Sequence, residues 1–120
     1  MSFRPPRDED AVVVAELMSE FAPDRVDRDS VLRDWTAPII DLELDARLEP
    51  GSYALVEDLT EGRAWIELHG RPSSQLVDWA EARAKEKGSR LFSGAWSTNA
   101  AILELLAARG YGIEIGRAHV

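Results

Sequence analysis

A chain of 120 residues has the length of one domain, and at that size about 65–70% of the unfolded surface can be buried, so a core needs no covalent staple. The absence of cysteine and the presence of only His69 and His119 remove disulfide frameworks, thiolate metal sites and His-rich metal centres. A net charge of −8 argues against a nucleic-acid backbone as main partner, and no apolar run reaches the length of a membrane span, so the expectation is a soluble, cytoplasmic protein with no metal, nucleic acid or membrane. The charge is uneven: residues 1–60 carry a net of −9 and residues 61–120 a net of +1.

Asp8-Glu9-Asp10 precedes a run in which Val13, Val14, Leu17, Met18 and Phe21 fall on one side of a helix. Three acidic residues suit the positive end of its dipole, and Pro23 stops it. A shorter helix follows, with Asp29 or Ser30 as N-cap, Val31, Leu32 and Trp35 on its apolar side, and Pro38 at its end.

From Ile39 to Leu48 apolar and acidic residues alternate, a strand pattern with Asp41, Glu43 and Asp45 on a solvated face. Pro50-Gly51 turns the chain into a second strand at Ser52–Glu57, and Thr60-Glu61-Gly62 into a third at Arg63–Leu68. A helix from Ser74 to Lys87 has Ser73 or Ser74 as cap and Gly88 after its end, with Leu76, Trp79, Ala80, Arg83 and Ala84 on one face. Arg90–Trp96 reads as a strand, Ser97-Thr98-Asn99 as the cap of a helix with Ile102, Leu105, Leu106 and Arg109 on one face, and Tyr111, Ile113 and Ile115 as a last strand. A helix-length crossover between the third and fourth strands predicts a parallel pair. The fold class is α/β: a mixed sheet, antiparallel meander plus parallel central pair, covered by about four helices.

The loop His69-Gly70-Arg71-Pro72-Ser73-Ser74-Gln75 leaves a strand and enters a helix N-terminus, where free N–H groups and the dipole favour an anion such as a phosphate. The plainer reading of the same residues is a loop with a serine cap, and His69 reads as a loop histidine. The four tryptophans read as core residues.

The helix after this loop, together with Asn99, the Ala/Leu helix that follows and Gly110-Tyr111, resembles the GCN5-related N-acetyltransferase (GNAT) superfamily, and so does the order of elements. The resemblance implies one GNAT-like domain over residues 1–120, ending before the family's last strand and leaving an open sheet edge through which two copies could pair. It implies transfer of an acetyl group from acetyl-CoA to a primary amine of a small molecule or peptide, by direct attack. The family's pyrophosphate loop carries an Arg/Gln-x-x-Gly-x-Gly/Ala pattern; this sequence has Gly70 to Gln75 in its place, lacks the second half of the glycine pattern, is several residues short, and loses a donor to Pro72. The cofactor residues implied are Leu68, His69, Gly70, Arg71, Ser73, Ser74, Gln75 and Asn99, and Glu67 matches the catalytic base. Leu106 stands where a tyrosine acid is common. Those departures sustain an alternative, a non-catalytic GNAT-like binding or pairing module.

Overall fold

The computed structural model describes residues 3–94, 96, 98–114 and 117–119. The first helix, α1, spans Ala11–Ser19 and is entered through a 3-10 turn at Asp8–Asp10. Its fully buried side is Ala11, Val14 and Ala15, so the small residues meet the sheet, and Val13, expected on that side, is 46% exposed. α2 spans Arg28–Trp35 and its cap is Asp27, ahead of the expected Asp29 or Ser30: the Asp27 carboxylate accepts from the Ser30 N–H at 2.8 Å.

The strand expected over residues 39–48 forms only in its second half. Leu42–Asp45 is a single helical turn, α3, and Ala46–Glu49 is β1. The Asp41 side chain accepts from the N–H groups of Glu43 and Leu44, giving the backbone a turn in place of a ladder. Asp45 does not lie on a solvated face. It is 2% exposed and sits 2.9 Å from Arg83 Nε and 3.1 Å from Lys87 Nζ. The acidic alternation reflects this capping and pairing more than a pleat.

β2 (Ser52–Thr60) and β3 (Arg63–Gly70) continue an antiparallel meander, and β4 (Arg90–Gly94) lies parallel to β3. The crossover is α4, Ser74–Lys87, and α5 spans Ala100–Ala108. In place of one last strand at residues 111–115 there are two short ones, β5 (Gly112–Glu114) and β6 (Arg117–His119); Ile115 lies outside the described residues. The sheet order is β1-β2-β3-β4-β6-β5. At the other edge Arg4 bridges to Leu48, which covers β1. No helix among the described residues is long and apolar enough to cross a membrane.

The sheet has a core on each face. Ala54, Val56, Ala64, Ile66 and Leu68 pack against α4 and α5 through Leu76, Val77, Ala80, Ile102 and Leu106. Tyr53 and Leu55 face the other way, onto Val14, Val31 and Trp35 of α1 and α2. Gly88 follows α4 as expected but in extended backbone; a side chain there would come within 2.6 Å of the Gly62 carbonyl oxygen, which accepts from the Arg90 N–H. Its bareness lets the turn before β3 press on the start of β4.

Burial works against the charged Asp45 carboxyl, but Arg83, the Asp41 N–H and Lys87 outweigh it and hold its pKa below the ordinary value. Asp45→Ala is expected to cost about 2–3 kcal/mol, less than a fully buried pair because Arg83 and Lys87 keep some solvent contact, read as a lower urea midpoint. Since the folded-state value is the lower one, this stabilisation is complete above the unfolded value of about 3.9 and is lost as pH falls through the folded value. Wild type should therefore lose stability more steeply than Asp45→Asn on acidification below about pH 4.

Candidate functional site

Because β3 and β4 are parallel, the helices that follow them begin at the same end of the sheet. Among the described residues their pairing runs to Glu67 opposite Gly94, while β3 continues through Leu68–Gly70, paired on its far side to Ser52–Ala54. The strands therefore part at their carboxyl ends, between the N-termini of α4 and α5. Crevices in this position are where open α/β sheets hold ligands. Among the described residues Leu68–Gly70 has no strand partner on this edge, where the Gly70 carbonyl accepts from Asn99, so the rest of the edge can pair with an extended, amide-bearing ligand as a strand would.

Alternation along β3 sends Ala64, Ile66, Leu68 and Gly70 into the core beneath α4 and leaves Trp65, Glu67 and His69 on the opposite face. There a cleft of about 210 Å3 opens. Its walls are Leu17, Met18 and Phe21 from the end of α1, with Trp65 from β3 and Trp96 beyond β4; Glu67, His69 and Asn99 supply its polar side chains. Trp65 and Trp96 are thus cleft residues, Trp96 being 47% exposed, and Trp35 is core, donating from Nε1 to the Tyr53 hydroxyl at 3.0 Å. Ala95 and Ser97 lie outside the described residues.

His69 belongs to β3 and not to a surface loop. Its ring stacks on Tyr53, opposite it in the register, and its Nε2 is buried 3.4 Å from a Glu67 carboxylate oxygen. That contact lacks hydrogen-bond geometry, so among the described residues Nε2 has no hydrogen-bond partner. The signal was in the sequence: His69 continues the period-two pattern of Trp65 and Glu67. The surroundings are negative. Burial, then Glu67 and Asp34, push the Glu57 carboxyl above its ordinary pKa, and burial, with Glu67 next, pushes the Tyr53 hydroxyl well up.

The loop before α4 is shorter than the sequence suggested because β3 runs to Gly70, while α4 begins at Ser74 as expected. Gly70 has φ +81°, and a side chain there would collide with the Gly51 carbonyl. The same carbonyl accepts from the Arg71 N–H at 3.0 Å, so the loop is fastened to the tip of the β1–β2 hairpin. Ser73 is the cap of α4, accepting from the Leu76 N–H. The anion at this helix N-terminus is internal: the Glu49 carboxylate accepts from the Ser73 N–H at 2.8 Å, from Ser73 Oγ at 2.7 Å and from Ser52 Oγ. Ser74 and Gln75 are exposed, and Arg71 points outward, pairing with Glu20 and lying over Phe21. Asn99 does two things at once. Its Oδ1 caps α5 by accepting from the Ile102 N–H, and its Nδ2 donates to the Gly70 carbonyl at 3.1 Å, closing the end of the crevice.

No family model matches the sequence, and no curated protein matches it. Solved structures do. A GCN5-related N-acetyltransferase from Sphaerobacter thermophilus superposes with a TM-score of 0.75 at 20% identity, over 92% of this chain and 42% of that one. The chain has the GNAT fold. A second match is yncA from Salmonella typhimurium, solved with its cofactor acetyl-CoA, with a TM-score of 0.64 at 17% identity over 98% of this chain and 88% of that one. The present chain spans less than half the length of the Sphaerobacter chain.

Within the GNAT fold, Leu106 is 1% exposed in the core, and the Tyr111 hydroxyl donates to Glu81 at 3.1 Å, away from the cleft lining. Among the described residues no group of three or more His, Asp or Glu is placed to hold a metal ion. Sequence reasoning passed over Glu49; its signal is the Pro50-Gly51 turn, which carries the hairpin tip to the end of β3.

Glu49→Ala leaves the Ser73 N–H and the buried Ser52 hydroxyl without their acceptor, and should lower the unfolding free energy by about 1–3 kcal/mol in a ligand-free melt. Asn99→Ala removes a cap and orphans the Gly70 carbonyl, for a similar loss of about 1–3 kcal/mol in the same measurement.

Proposed function

We propose that the chain is an N-acetyltransferase that moves the acetyl group of acetyl-CoA to a primary amine by direct attack. The observation that carries this reading is the position of Glu67. It is the carboxylate in the cleft, on the strand where β3 and β4 part, and it is part-exposed. The pantetheine arm would run along the free edge of Leu68–Gly70, beside Asn99. The pyrophosphate would meet the exposed N-terminal residues Ser74 and Gln75, with Arg71 and Ser73 beside them and His69 at the floor. The amine nitrogen attacks the thioester carbonyl, the C–N bond forms and the C–S bond breaks. Glu67 takes the amine proton, and the CoA thiolate is protonated from water, since Leu106 offers no acid.

A second reading, a non-catalytic GNAT-like binding or pairing module, is favoured by Glu49, which already occupies Ser73 at the N-terminus of α4. Acetyl-CoA separates the two. At about 100 times its Kd it should add roughly 2.7 kcal/mol of stability, and no melt shift at millimolar acetyl-CoA would leave the second reading standing. Pairing of two copies through the β5 edge belongs to that module, and a monomer in light scattering would count against it. For the catalytic reading, Glu67→Gln should keep the acetyl-CoA melt shift and lower kcat/KM by about 10²–10⁴-fold; an unchanged rate would remove Glu67 as the base.

A further inference from the structure

The cleft also carries information about which amine it takes, an inference that rests on the acetyl-transfer reading only for the chemistry that follows binding. Three observations bear on it. The walls are hydrocarbon and aromatic: Leu17 and Phe21 on one side, Trp65 and Trp96 on the other. Trp96 stands half-exposed at the lip, an arrangement that costs hydrophobic free energy until something covers it. No lysine or arginine lines the cleft among the described residues; Arg71, at its rim, is already paired with Glu20. The floor is anionic through Glu67, and Glu57 and Asp34 add negative charge on the same side of the sheet.

We propose that the cleft selects amines carried on a compact apolar or aromatic body, the ammonium drawn to Glu67 and the body held between Trp65, Trp96 and Phe21. Size fits this class. An apolar cavity of about 150 Å3 holds benzene, so the cleft of about 210 Å3, part of it along the Leu68–Gly70 edge and Asn99 that a pantetheine arm would take, has room for one ring in the free protein. An ammonium beside Glu67 gains a charge-assisted hydrogen bond, and the indole faces add a cation–π attraction. A diamine would leave its second charge against apolar walls, and an α-amino acid would bring its carboxylate towards Glu67; both lose by desolvation or repulsion.

Binding can be read without catalysis, by the fluorescence of the cleft tryptophans in the free protein. The probes are 2-phenylethylamine, 2-phenylethanol, putrescine and phenylalanine. The expected result is saturable quenching by 2-phenylethylamine, about tenfold tighter than by each of the others. Glu67→Gln should bring the amine and the alcohol to within about threefold. Trp96→Ala, a change at an exposed position, should weaken the amine by about tenfold while the circular dichroism spectrum stays that of wild type. No saturation by about 10 mM, equal binding of alcohol and amine, or tighter binding of putrescine would overturn the inference. Saturable amine binding without CoA release would sink the catalytic reading and leave the ligand class standing. CoA release with putrescine and none with 2-phenylethylamine would do the reverse.

Discussion

The structure depends on a difference between the two edges of β3. On one edge the strand pairs antiparallel with β2 to the end, from Arg63 to Gly70; on the other it pairs parallel with β4 only as far as Glu67. Beyond Glu67 the strand keeps β2 on one side and, among the described residues, has no strand partner on the other. The parallel relation also sends both following helices off from the same end. A crevice, a free edge and two helix N-termini therefore gather at one place, and the period-two alternation of β3 delivers Trp65, Glu67 and His69 to it on rigid backbone.

The hairpin between β1 and β2 is fastened to that end by contacts of very different character. Gly70 can approach the Gly51 carbonyl because it has no side chain, and Arg71 then donates to that carbonyl. Glu49 brings a full charge to the start of α4, where the dipole and the Ser73 N–H favour it. A loop built to receive an external anion would leave those donors free, so the same carboxylate that stabilises the turn competes with any diphosphate offered to the helix.

Most of the elements were legible in the sequence because their signals are local. α4 has a serine cap, a periodic face, basic residues in its last turn and a glycine after it, and all of these agree. The meander follows from two glycine turns and from strands whose side chains alternate. The failures have one cause. Asp41, Glu43 and Asp45 alternate as a strand does, but capping hydrogen bonds and two distant cations on α4 decided for a helical turn. His69 reads as a loop residue in the sequence because the end of β3 is set by its partner β2, which pairs through Gly70.

The sequence by itself determined the α/β class and the order of most elements, because periodicity, caps and turns are properties of neighbouring residues. The tertiary structure alone decided which side chains share the cleft. Leu17 and Phe21 are separated from Trp65 and Trp96 by tens of positions, and only packing of α1 across the open end of the sheet brings them together. It also decided that Glu49 would fill the helix N-terminus, since that contact joins residues 24 positions apart across a hairpin tip. Contacts of this kind follow from shape and charge in three dimensions, and no local pattern encodes them.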